Sequence, residues 1–134
     1  MEYDLWYSSS NDLALDFLHD FMKVDKRFGD QVKMTPRFVF WKCLDCDQDF
    51  LDWNCYGGGK YCAMDWGNAR LSGQEIVMED LRQMCIYRYA YNEMNNRQLF
   101  WDYIKNVHKE CDSKLNEDCS IFAHKESKIP WQVT

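Results

Sequence analysis

Apolar residues recur along the chain in several rhythms, and each predicts an element. Tyr3 to Tyr7 alternates weakly and is rich in aromatics, which predicts a strand. Ser8-Ser9-Ser10-Asn11-Asp12 follows, and short side-chain oxygens of this kind satisfy the free amides of a first helical turn. Leu13, Phe17, Leu18 and Phe21 then recur at helical spacing. Arg37 to Trp41 is a continuous, aromatic run that predicts a strand central in a sheet, with Thr35-Pro36 marking its start. From Lys42 to Asn68 the chain is dense in Cys, Asp and Gly, the pattern of a loop or short-helix excursion. Ser72-Gly73-Gln74-Glu75 is a capping-box pattern, after which Val77, Leu81, Met84 and Cys85 share a helical face. Asn95-Asn96 can start another helix carrying Phe100, Tyr103, Ile104 and Val107. Asp112 can cap a last one bearing Leu115, Cys119 and Phe122. The order is β-α-β-loop-α-α-α, so the fold class is α/β (α+β) with a small sheet.

Composition narrows the class. The 134 residues fit one domain, 16% are aromatic, and 6 Gly and 2 Pro are too few for a linker-rich chain. A formal charge of −6 argues against a nucleic-acid partner. Residues 1–20 carry Glu2, Asp4, Asp12, Asp16 and Asp20 and lack the basic and apolar regions of a targeting segment. No apolar run approaches the ~20 residues that span a bilayer. No Asn-x-Ser/Thr sequon occurs. The expectation is either an excised piece of a larger lumenal protein or a complete small protein.

Seven cysteines, Cys43, Cys46, Cys55, Cys62, Cys85, Cys111 and Cys119, are the candidate site residues. In an oxidising compartment such density implies a disulfide framework, and an odd count leaves at least one thiol over. Cys43-Leu44-Asp45-Cys46 follows a strand, where thioredoxin-type enzymes place a redox pair. Asp45, Asp47 and Asp49 surround it, and carboxylates raise a neighbouring thiol's pKa rather than lower it. A structural pair is therefore favoured over thiol oxidoreductase chemistry at Cys43 and Cys46. Cys43, Cys46, Cys55 and Cys62 could also close a four-thiolate zinc site, but the paired C-x2-C knuckle is absent. Alternating Asp45, Asp47 and Asp49 lacks the glycine and closing glutamate of a calcium loop. His19, His108 and His124 have no nucleophile motif beside them and are expected at surface or boundary positions. No catalytic residue, metal or cofactor is assigned. If Cys111 and Cys119 lie in one helix, their Cα atoms are ~12 Å apart. That exceeds disulfide reach of ~7 Å, so each is expected to bond elsewhere, for instance to Cys85 or to the Cys43–Cys62 loop.

Several segments in order resemble the central domain of vacuolar sorting receptors. They are Asp4-Leu5-Trp6-Tyr7 with Ser10-Asn11-Asp12, Thr35 through Cys43, and Gly59-Lys60-Tyr61-Cys62-Ala63-Met64-Asp65. Val77 with Leu81-Arg82-Gln83-Met84-Cys85, and Phe100-Trp101-Asp102-Tyr103, continue the match, which runs from about residue 3 to about residue 120. The resemblance implies a thioredoxin-like fold in a lumenal, disulfide-bonded domain, with residues 121–134 left as a C-terminal tail. It also marks a departure. The family usually carries a cysteine pair in the turn after the first strand, and here that turn runs Ser8 to Leu15 without one. Its absence argues against oxidoreductase activity.

These readings converge on a non-catalytic protein–protein interaction module. Because the chain begins at Met1 and shows no receptor tail or span, the first expectation is an accessory subunit of a larger assembly. An oxidising space without glycosylation, such as that facing a mitochondrial membrane complex in the intermembrane space, would suit it. The alternative is a cargo-binding fragment of a sorting receptor in the endomembrane lumen, and a thiol oxidoreductase comes third. In every case the expected partners are proteins.

Overall fold

A computed structural model of the chain describes residues 1–65, 71–111 and 114–134. The first third is a β-α-β unit. Strand β1 (Glu2–Tyr7) leads through the serine turn into helix α1 (Asp12–Phe28), whose Asn11 cap accepts from the Ala14 amide at 2.9 Å. Gly29 ends α1 at φ 57°, a left-handed φ that glycine adopts without strain. A 3-10 turn (Gly29–Gln31) then returns the chain to β2 (Lys33–Phe38), which runs parallel to β1 with Glu2 opposite Lys33 and Tyr7 opposite Phe38.

The second strand therefore starts four residues before its expected position at Arg37. Pro36 lies inside β2 rather than before it. Among the described residues β2 pairs only with β1, which leaves its other side an edge, where a missing N–H is tolerated. Val39 and Phe40 leave the sheet, and Trp41 makes an isolated bridge with Cys62.

The excursion that follows holds helix α2 (Gln48–Asn54) and a hairpin of β3 (Cys55–Tyr56) and β4 (Tyr61–Cys62). Helix α3 (Gly73–Arg88) begins at the capping box: Ser72 Oγ accepts from the Glu75 amide and the Glu75 carboxylate accepts from the Ser72 amide. It runs on into a π-helical turn (Tyr89–Glu93), followed by α4 (Gln98–Glu110) and α5 (Glu117–Glu126). A 3-10 turn (Trp131–Val133) closes the chain. The expected cap at Asp112 lies outside the described residues, and Asn116 caps α5 by accepting from the Cys119 amide.

The core is an aromatic and aliphatic cluster centred on α4. Phe100, Tyr103, Ile104 and Val107 are buried, as their spacing predicted, and Trp101 is buried beside them. They meet Leu15 and Leu18 of α1, Met34 of β2 and Ile76, Val77 and Ile86 of α3. At about 1.5–3 kcal/mol for each large apolar side chain removed from water, these contacts dominate the fold's stability.

Two faces differ from expectation. On α1 the buried positions are Leu15, Leu18 and Asp25, while Leu13 and Phe17 are exposed. On α3 Val77 is buried, but Leu81, Met84 and Cys85 face outward. The inner face of α3 instead carries Glu79, Asp80 and Gln83. Residues 121–134 are no loose tail, since Ala123, His124, Ser127 and Ile129 are buried.

Candidate interaction surface

Six of the seven cysteines are bonded, each to its neighbour in sequence: Cys43 to Cys46, Cys55 to Cys62 and Cys111 to Cys119. Cys85 is a free, exposed thiol on α3. The four sulfurs weighed as zinc ligands are thus joined to one another in two pairs. Among the described residues, no three His, Cys, Asp or Glu side chains are grouped to hold a metal ion.

The Cys111–Cys119 bridge departs from expectation because the two residues do not share a helix. Cys111 is the C-cap of α4 and Cys119 lies in the first turn of α5, which brings their Cα atoms to 5.8 Å. That is within disulfide reach.

The excursion is fixed to the body of the protein by backbone as well as by sulfur. Trp41 and Cys62 exchange two backbone hydrogen bonds, and the Cys43 amide donates to the Gly59 carbonyl at 2.8 Å. Gly59 has φ 94°, and a Cβ there would sit 2.0 Å from the Cys43 carbonyl oxygen. Only glycine permits this approach. Asn54 ties α2 to α3: its side-chain oxygen accepts from the Gly73 amide and its backbone carbonyl from Ala63. The hairpin sends its two residue pairs to opposite faces. The Cys55–Cys62 pair points inward and is buried, and the cross-strand pair Tyr56–Tyr61 points outward and is exposed.

The turn after β1, where a thioredoxin-type enzyme would hold its cysteines, presents serines. The Ser9 amide donates to Asp80 Oδ1 at 3.1 Å. The Ser9 hydroxyl eases the charge on Asp80 but makes no bond of ordinary geometry, so Ser9 Oγ and Asp80 Oδ2 are buried without hydrogen-bond partners among the described residues. Burial pushes the Asp80 carboxyl up to about 7, with the neighbouring Glu79 charge adding to the rise.

Glu79 is fully buried, and burial raises its pKa too, although it accepts from Ser120 at 2.8 Å, Gln83 at 3.1 Å and Tyr103 at 3.3 Å. Tyr7 donates to Gln83 at 2.7 Å and extends the network to β1. A third buried carboxylate, Asp25, accepts from Trp101 Nε1 at 2.8 Å, the Tyr3 hydroxyl at 2.9 Å, and Tyr91 and Arg97. These acids knit elements together, and the serines beside them, Ser120 against Glu79 and Ser9 against Asp80, are themselves buried. Sequence gives no signal for them, because a helical Asp or Glu looks like any solvated charge until its neighbours are known.

The histidines divide. His19 and His108 are at or near the surface. His124, expected at a surface or boundary position as well, is buried between the Tyr103 and Trp131 rings, and desolvation lowers its pKa. The C-terminal 3-10 turn supplies the ring that covers it.

Residues 1–133 match the family model for the vacuolar sorting receptor thioredoxin-like domain. The chain belongs to this family. It is 30% identical to vacuolar-sorting receptor 7 of Arabidopsis thaliana over 97% of its length, and 28% identical to vacuolar-sorting receptor 1 of Pisum sativum over 90%. It spans only 23% and 22% of those two proteins. The family domain thus reaches past residue 120, in keeping with the buried C-terminal segment. The domain is thioredoxin-like, and its described residues form five helices and two small sheets. These matches favour the receptor-domain reading over the accessory-subunit one in a mitochondrial assembly.

Proposed function

We propose that this chain is a protein-binding domain of a vacuolar sorting receptor, working in the oxidising lumen of the endomembrane system and contacting vacuole-bound proteins. One thioredoxin-like domain over residues 1–134 does this work without catalysing a reaction. The observation that carries the reading is the family match along residues 1–133. Two features of the site support it. The turn after β1 holds Ser8, Ser9 and Ser10 where redox chemistry would need thiols. The Cys43–Cys46 pair lies in an exposed loop ahead of α2, among carboxylates that oppose thiolate formation.

The test is direct binding. The oxidised 134-residue chain, immobilised through a terminal tag, should retain precursors of vacuolar proteins and pass secreted proteins that lack a vacuolar destination. Equal retention of both sets, or of neither, would sink the reading. In parallel, turnover of a model disulfide substrate under a glutathione buffer should stay at the uncatalysed rate. Turnover that Cys43→Ser abolishes would return the oxidoreductase reading to first place.

A further inference from the structure

We infer that the outer face of the stapled excursion docks a cationic peptide segment of a protein partner, with arginine or lysine side chains laid against its aromatic rings. The inference rests on the protein-binding reading above and names the chemistry of the partner.

Four large apolar residues of this short stretch point to solvent: Leu44 is 62% exposed, Trp53 57%, Tyr61 53% and Tyr56 39%. Their positions follow from the local structure. On α2, Phe50, Leu51 and Asn54 turn inward, which leaves Asp49, Asp52 and Trp53 on the outer side at spacings of three and four. Tyr56 and Tyr61 are held outward because the bridged Cys55 and Cys62 are held inward. The Tyr61 ring also lies against Gly57, where a Cβ would come within 3.3 Å of Tyr61 Cδ2. Leu44 sits inside the tight Cys43–Cys46 loop. Rigid Trp and Tyr side chains are the residues that most often anchor interfaces, and a face already fixed by two disulfides pays little ordering entropy on binding.

Charge decides what the face accepts. Asp45, Asp47, Asp49 and Asp52 against Lys60 give residues 43–62 a net charge of −3. Asp45, Asp49 and Asp52 are exposed, and the Asp52 partner is the neutral Gln48. A guanidinium or ammonium group gains twice here, from the carboxylates and from the ring faces. A second copy of the chain would bring −3 against −3, which disfavours self-pairing through this face.

The probe is a synthetic peptide of alternating glycine and arginine, with a glycine–glutamate peptide as its counterpart. Each is titrated into the 134-residue chain with its bridges intact, followed by NMR shifts of backbone amides and tryptophan indoles. The arginine peptide should perturb Trp53, Tyr56 and Tyr61 and bind more weakly as salt rises. Trp53→Ala with Tyr61→Ala should weaken it about tenfold or more, as should Asp45→Asn, Asp49→Asn and Asp52→Asn together. All these side chains are exposed, so the variants should keep the parent's circular dichroism. Neutralising Asp12, Asp16 and Asp20 on α1 should leave binding unchanged. Equal weakening by the α1 variant would show attraction to net charge alone and overturn the inference. Binding of the glutamate peptide, or a concentration-dependent dimer that Trp53→Ala abolishes, would overturn it too. A vacuolar precursor that binds the parent and the excursion variants alike would sink this face and leave the receptor-domain reading standing. Capture of the arginine peptide here without precursor binding would do the reverse.

Discussion

A single carboxylate makes the clearest pH prediction. Asp80 is held at about 7 against an ordinary value of 3.8, chiefly because it is buried. Below about pH 4 both the folded and the unfolded chain keep its proton, and the group favours neither. Between those two values the unfolded chain has released the proton and the folded chain has not. The folded state then binds more protons, so its stability falls as pH rises. The loss is complete above about pH 7 and is on the order of 4 kcal/mol. Asp80→Asn cannot ionise, and its amide can donate toward the unpartnered Ser9 hydroxyl. The variant should therefore be the more stable protein near neutral pH, with the gap closing toward acid. Glu79 shifts in the same direction, but it is present in both proteins and largely cancels in the comparison. Chemical denaturation of both proteins near pH 4 and near pH 8 checks this, and a stability difference that does not change with pH would refute it.

The elements were legible in unequal measure, for physical reasons. Capping chemistry is local, so Ser72 and Glu75 marked the start of α3 and Asn11 that of α1. Aromatic spacing on α4 showed its buried side because every buried residue there is apolar. On α3 the rule inverts: a buried hydrogen-bond network replaces part of the apolar stripe, and the Leu81–Cys85 side is left to solvent. Periodicity counts apolar residues and cannot see polar groups that satisfy one another. The first four residues of β2 were missed because a proline reads as a boundary unless the strand has a free edge.

The excursion was legible as a stapled segment, though not as a platform, because the tie that makes it one is a backbone approach at Gly59. That tie is testable. Gly59→Ala places a methyl group on the Cys43 carbonyl at a φ of 94°. The Trp41–Cys46 segment must then move off the hairpin, at a cost of about 1–3 kcal/mol. Gly58 has φ 66° but open space around it, so Gly58→Ala should cost about 1 kcal/mol and leave the packing intact. Thermal melts of the two variants should separate them, and equal losses would mean that the close approach adds nothing beyond φ.

On the scale of the molecule, the three bridges tie the chain only to itself nearby, with sequence separations of 3, 7 and 8 residues. A seven-cysteine chain without a signal of pairing invites the opposite expectation, that sulfur joins the distant parts. Here the distant parts are joined by the Asp25 and Glu79 networks and by the core around Trp101, while the disulfides rigidify local loops. The two arrangements differ in energy. In the chain-entropy account a loop of about eight residues is worth about 2.5 kcal/mol, and one of some sixty residues, as between distant segments, about 4 kcal/mol. Replacing Cys111 and Cys119 together by alanine should therefore cost about 2–3 kcal/mol. The protein should still unfold in one cooperative step, because Glu79 of α3 accepts from Ser120 of α5 and Tyr103 of α4, contacts that do not pass through the bridge. Denaturant titration of the double variant measures this. Alkylation of the non-reduced parent followed by peptide mapping measures the pairing itself, with the label expected on Cys85 alone. A variant that no longer folds, or label distributed over Cys111 and Cys119 in the parent, would mean that sulfur and not the buried acids holds the distant parts together. The excursion's outer face would then lose the rigid body on which its preorganisation depends.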